Sequence, residues 1–194
     1  MIRALFRWAL EKARHPWAPA WLGGISFAES SFFPVPPDVL LGPMALARPG
    51  WAWRFAGLTT LASVLGGLLG YLIGAVLYEG VAQPLIAFYG VEAEYERVVS
   101  WFETYGGWAV FLAGLTPIPY KVFTIGAGSL QMGLAPFVIA SLAGRGLRFF
   151  ALAGVIRLGG EGLYQRVERW SPLLFWAGVV ALGGLLVYSA WTGH

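Results

Sequence analysis

The chain of 194 residues has no cysteine. Disulfides, thiolate metal sites and a cysteine nucleophile are therefore excluded. Histidine is scarce as well. His15 and His194 alone occur, which leaves little material for a zinc site or a histidine base. Charge is the third shortage: 12% of residues are Asp, Glu, Lys or Arg, against 58% hydrophobic, and the mean hydropathy is +0.66. A soluble domain carries about a quarter charged residues, so this balance disfavours an ordinary soluble fold and excludes disorder. The net charge of +3 is small and, on so apolar a chain, does not argue for nucleic acid. No Gly-rich phosphate loop, nucleophile elbow or HExxH motif is present. No metal site, cofactor or enzymatic activity is expected.

What the chain does have is apolar length. A bilayer-spanning helix needs about 20 mostly apolar residues. Residues 55–78 and 172–191 satisfy this without an internal charge. The second of these opens with Ser171 as a candidate N-cap and Pro172 at the first helical position. Residues 136–156 are apolar except for Arg145 and Arg148, which are costly in lipid unless they face protein or water.

Two further apolar regions are interrupted. Residues 17–47 contain Pro34, Pro36 and Pro37, followed by Asp38. Residues 108–132 contain Pro117 and Pro119, followed by Tyr120 and Lys121. Proline removes a backbone donor and clashes with the preceding turn, so neither region is one continuous helix. The arms flanking each break are about ten residues, too short to cross alone. Each region reads as a re-entrant helical hairpin with its tip in the membrane, which requires protein or water around the tip.

The two breaks resemble each other. Pro34 and Pro117 are separated by the same 83 residues as Asp38 and Lys121. Each break is followed by an apolar arm rich in small residues and then by a long span. With one long span between them, the hairpins would enter from opposite sides, as an inverted repeat. Such repeats place substrate sites near the midplane, where broken helices meet.

Topology follows from Lys and Arg. Arg3, Arg7, Lys12 and Arg14 place the N-terminus in the cytoplasm, and residues 1–16 read as an amphipathic surface helix or, equally, as a positive flank. The connector, residues 79–107, carries five glutamates and only Arg97. It is expected outside, with an amphipathic helix near residues 93–105. Most of the ten tryptophans fall at predicted interfaces. Gly66, Gly70 and Gly74 recur at four-residue spacing and read as a packing face, against a hairpin.

Intramembrane charge is expensive and so marks candidate sites. Glu29 and Asp38 are candidates for transport and proton coupling. Glu29 in an apolar setting is compatible with a proton-coupled step and equally with a permanent salt bridge. Asp38 and Lys121, at equivalent positions with opposite signs, could pair or flank one polar cavity. Arg145 and Arg148 share a helical face, and guanidinium forks match phosphate geometry. Lys121, Arg145 and Arg148 are therefore candidates for binding a phosphate or lipid head group.

Two stretches resemble the DedA (SNARE-associated, VTT-domain) membrane proteins, and within them a YqaA-like branch. The first is Phe27-Ala28-Glu29-Ser30-Ser31-Phe32-Phe33-Pro34-Val35-Pro36-Pro37-Asp38-Val39-Leu40-Leu41. The second is Gly114-Leu115-Thr116-Pro117-Ile118-Pro119-Tyr120-Lys121-Val122, followed by Ala127-Gly128 and Met132. The resemblance spans about residues 20–160. It implies movement of phospholipid or polyprenyl phosphate between leaflets, proton-dependent in some members, with Glu29 and Asp38 as the family's membrane acids. Lys121 stands where many members carry the second of two arginines. Leu115 stands where many carry the first.

The expected architecture is a single all-α integral membrane domain over residues 1–194. It comprises an N-terminal amphipathic helix (1–16), a first hairpin with its span (17–78), the connector (79–107), a second hairpin with its span (108–156) and a C-terminal span (172–191). The expected function is a lipid flippase or scramblase of the inner membrane, with lipids and protons as partners and room for a homo-oligomer. A proton- or ion-coupled transporter of a small solute and a non-catalytic membrane homeostasis or assembly factor are the alternatives.

Overall fold

The computed structural model of the protein describes residues 15–31, 36–83, 88, 92–116, 120–160 and 162. The N-terminal amphipathic helix and the span at 172–191 lie outside the described residues, as do Pro34, Pro117 and Pro119. Among the described residues all regular structure is helical. The order is α1 (Ala18–Ser31), α2 (Asp38–Ala47), a 3-10 turn (Pro49–Trp51), α3 (Ala52–Leu77), a π-turn (Tyr78–Ala82), α4 (Glu92–Leu115), α5 (Tyr120–Ser129) and α6 (Leu134–Gly160).

Two helical stretches are long and apolar enough to cross a bilayer, Pro49–Gly80 and Leu134–Gly160. They contain the spans expected at 55–78 and 136–156. At 1.5 Å per residue they run about 48 and about 40 Å, ample for a hydrocarbon core of about 30 Å with some tilt. By contrast α1, α2 and α5 have 14, 10 and 10 residues, or about 21, 15 and 15 Å.

The first break works as its prolines require. Pro36 and Pro37 have no N–H to leave unpaired, and their carbonyls receive the first amides of α2: Val39 N–H donates to Pro36 O, and Leu40 and Leu41 N–H donate to Pro37 O. Asp38 occupies the first turn, where negative charge favours the helix dipole.

The region before the second break differs from expectation. The amphipathic helix of the connector and the first arm of the second hairpin are one 24-residue helix, α4. The boundary expected at residue 107 falls inside it. Gly106 and Gly107 cost about 1 kcal/mol each in a helix interior. Burial of Phe102, Ala109, Val110 and Ala113, which recur on one face, outweighs that cost.

The interior is organised in three layers. One apolar cluster joins Ala18 and Leu22 of α1, Leu40, Leu41, Met44 and Ala45 of α2, Phe55 of α3 and Phe149 of α6. A second joins Phe102, Val110 and Ala113 of α4, Tyr120 and Ala127 of α5 and Phe137 of α6. Between them lie buried polar side chains: Ser30, Ser63, Thr59 and Thr60, with Arg145 on α6.

Helix α3 is the spine of the fold. Its inner face is small, so that backbones come together. A Cβ at Gly66 would fall on the Phe27 carbonyl of α1, and one at Gly74 on the Ile125 carbonyl of α5. The glycine stripe is thus a packing face for both short-helix arms. The outer face carries Leu61, Leu65, Leu72 and Val76, all exposed. A polar, small interior beneath a leucine-rich exterior is what a hydrocarbon solvent selects.

Candidate functional site

Five helices and the end of a sixth converge on the polar layer. Glu29 comes from the last turn of α1, Asp38 from the first turn of α2, and Ser63 from the middle of α3. Thr116 follows α4, Tyr120 opens α5, and Ser141, Arg145 and Arg148 line α6.

Arg145 is 2% exposed. Burying a guanidinium costs several kcal/mol unless it is paired. Its Nη2 donates to Glu29 Oε2 at 2.9 Å. The guanidinium lies over the Tyr120 ring, with Cζ 4.2 Å from the ring centroid, and the Phe149 centroid lies at 5.6 Å. Each contact offsets part of the cost of burying the charge. Ser30 Oγ donates to the same Glu29 oxygen at 3.1 Å and lies 2.6 Å from Ser63 Oγ. With Ser30 donating to the carboxylate, Ser63 supplies the proton of the second bond. A hydroxyl relay therefore runs from α3 through α1 to the ion pair.

One turn along α6, Arg148 makes the second pair. Its Nη2 donates to Asp38 Oδ2, and its Nη1 donates to the Thr116 carbonyl at 2.6 Å. Asp38 immediately follows the first proline break and Thr116 immediately precedes the second. A single guanidinium therefore bridges both breaks. This pair is more open than the first, with side chains 20% and 24% exposed.

Of the expected site residues, Glu29, Asp38, Arg145, Arg148 and Tyr120 come together, with Pro36 and Pro37 beside Asp38. Of the two arrangements offered for Asp38 and Lys121, a direct pair or the flanks of one cavity, the direct pair is not the one seen. Asp38 meets Arg148, and among the described residues Lys121 makes no ion pair. Equivalence in a repeat aligns backbone positions, whereas α6 brings Arg148 to the residues that flank both breaks. Leu115, the position at which the resemblance implied an arginine, lies next to Thr116, whose carbonyl Arg148 engages. Arg148 thus brings a cation to that neighbourhood from another helix.

Sequence reasoning missed Tyr120 as the partner of Arg145; it stood only as a tip residue. It also missed the relay of Ser30 and Ser63. The Glu-Ser-Ser run at residues 29–31 was the available signal. Ser31 Oγ donates to the Gly66 carbonyl at 2.9 Å, so it ties α1 to α3 rather than serving the charges. Among the described residues, no cluster of three or more metal-ligating side chains occurs.

Broken helices around paired charges within an apolar bundle define a class of polytopic membrane protein. Comparison with known proteins makes this specific. The VTT domain model matches residues 35–158, and the chain belongs to the VTT-domain (DedA) family of membrane proteins. An uncharacterized protein of Haemophilus influenzae is 42% identical over 171 residues, covering 88% of this chain and 88% of that protein. An uncharacterized protein of Histophilus somni is 36% identical over 176 residues, 91% of this chain and 92% of that one. Undecaprenyl phosphate transporter A of Staphylococcus aureus is 32% identical over 107 residues, covering 53% of this chain and 51% of its own length. No solved structure gives a significant match.

Proposed function

We propose that the protein moves a phosphate-bearing lipid, a phospholipid or a polyprenyl phosphate, between the leaflets of the inner membrane. The observation that carries this reading is the pair of ion pairs, Glu29–Arg145 and Asp38–Arg148, set between two proline breaks in the polar layer. The relative named for undecaprenyl phosphate transport supports the substrate class.

The chemistry is exchange of anions on two cations. A guanidinium donates to phosphate oxygens in the geometry that it offers a carboxylate. A head group entering the site displaces Asp38 from Arg148, the more exposed pair, and then meets Arg145. Lys121, uncommitted to an acid among the described residues, adds a third positive charge on α5. Displacement of Asp38 from Arg148 is the step through which a proton gradient would couple to the cycle, with Glu29 the second candidate acid. The breaks form two re-entrant hairpins that enter from opposite sides as an inverted repeat, with the N-terminus in the cytoplasm. Each hairpin would open the site to one leaflet.

The test is leaflet exchange in proteoliposomes, with fluorescent phosphatidylglycerol and undecaprenyl phosphate as substrates in separate arms. Exchange above that of protein-free vesicles is expected, with a loss of at least about tenfold in Arg148→Gln and Lys121→Gln. Exchange equal to protein-free vesicles, with and without an imposed proton gradient, sinks the reading.

A further inference from the structure

Tyr120 is the largest fully buried side chain of the site, and the proposed transport gives it no role. It is 1% exposed. Its hydroxyl donates to Ser141 Oγ on α6. Its other flank rests on α3, where a Cβ at Gly67 would stand 3.2 Å from both the ring edge and the hydroxyl. Any side chain at position 67 would crowd the ring, so glycine there lets it seat closely. Tyr120 is thus clamped between two spans, with its face on the Arg145 guanidinium.

The clamp has a consequence for Arg145. One edge of the guanidinium reaches Glu29 through Nη2. The ring covers a face. The Nε–H is buried and has no protein acceptor among the described residues. A buried charged donor without an acceptor is uncommon in native proteins and calls for an explanation.

We propose that Tyr120 is the positioning residue of Arg145: it fixes the guanidinium plane so that Nη2 holds Glu29 while the Nε–H stays in place to donate to an anionic phosphate oxygen. This inference rests on the proposed function for the identity of the anion but not for the geometry. An anionic phosphate oxygen is the ligand chemistry, whether it arrives on a lipid or as free phosphate. The anion need not expel Glu29 from Nη2, because the Nε–H is a donor separate from the two N–H groups that Nη2 carries. The ring supplies orientation without competing for a donor, since its quadrupole attracts the guanidinium through the face alone.

The test is NMR of full-length protein carrying 15N-arginine, in phosphatidylcholine nanodiscs, with the Arg145 Nε–H resonance assigned by its absence in Arg145→Lys. Three arms receive dioleoyl phosphatidic acid in the disc, inorganic phosphate in the buffer, or neither. In the native protein the resonance is expected at a ring-current-displaced position and to move with phosphatidic acid. Movement with inorganic phosphate as well identifies a free anion as a sufficient ligand. Tyr120→Phe keeps the ring face and is expected to keep the response. Tyr120→Leu is expected to weaken the apparent affinity about tenfold and to leave the Arg148 Nε–H unchanged. A purely structural tyrosine would alter thermal stability in both variants and leave the response of the folded protein intact.

An Arg145 Nε–H that is undisplaced in the native protein, or that ignores both phosphates, overturns the inference. That outcome needs no variant to fold. An unaltered response in Tyr120→Leu does the same. Failure of leaflet exchange with a responsive Nε–H removes the transport reading and leaves the positioning role. Exchange with a silent Nε–H does the reverse.

Discussion

Asp38 and Arg148 are 110 residues apart in sequence and form an ion pair. The pair joins the first helix after one proline break to the long helix beyond the other. Its companion, Glu29–Arg145, spans 116 residues. The two pairs differ in burial, and that difference has measurable consequences.

Neutralising Glu29 strands a buried guanidinium. Glu29→Gln is expected to lower stability by about 3–5 kcal/mol, and Asp38→Asn, whose partner keeps some access to water, by about 1–2 kcal/mol. Thermal unfolding of purified protein in detergent reads the difference. Joint replacement, Glu29→Gln with Arg145→Met, is expected to recover more than half of the loss, because the unpaired charge is gone.

Packing on α3 makes a sharper contrast. Gly66 abuts the Phe27 backbone, whereas a Cβ at Gly126 meets nothing within 4 Å. Gly66→Leu is expected to force α1 from α3 and to abolish folded protein, read as loss of the monodisperse peak in size-exclusion chromatography. Gly126→Ala is expected to be neutral or stabilising by up to about 1 kcal/mol, from helix propensity.

The turn between α5 and α6 carries Gln131 at φ 54°. Met132 N–H donates back to Ala127 O, and Leu130 N–H to Gly126 O, a helix C-terminus closed by a left-handed residue. Glycine tolerates that conformation better than glutamine. Gln131→Gly is expected to raise stability by about 0.5–1 kcal/mol, visible as a higher melting temperature. A lower one would show that the glutamine side chain contributes more than its backbone strain costs.

The outer faces of the long helices should behave as lipid contacts. Leu65 and Leu72 are 57% and 59% exposed. Leu65→Lys or Leu72→Lys is expected to cost about 2.5–3.5 kcal/mol in membrane insertion. A glycosylation-reporter insertion assay measures this directly. The same change at the helix-end residue Trp53 should be tolerated, because a lysine there reaches the interface.

The long spans were legible because apolar length shows in composition. The first break was legible because proline acts locally, on its own amide and the preceding turn. The continuity of α4 through Gly106 and Gly107 was not. A pair of glycines costs little, and the buried face that compensates them is contributed by other helices. The charged residues stood out individually as expensive in an apolar chain. Their pairing did not follow from the repeat, and Tyr120 read as a tip residue until the ring was seen beneath Arg145.

The distinction has a physical origin. In an apolar solvent each backbone amide must be satisfied near at hand, so hydrophobic runs, prolines and small-residue stripes dictate where helices lie and which faces turn outward. Those features are local and are written in residue order. Partnership between charges is set by distance in space. Whether Asp38 meets Lys121 or Arg148 depends on how α6 packs on its neighbours, where Gly144 closes on the Phe111 carbonyl of α4 and Phe149 is buried beside the arginines.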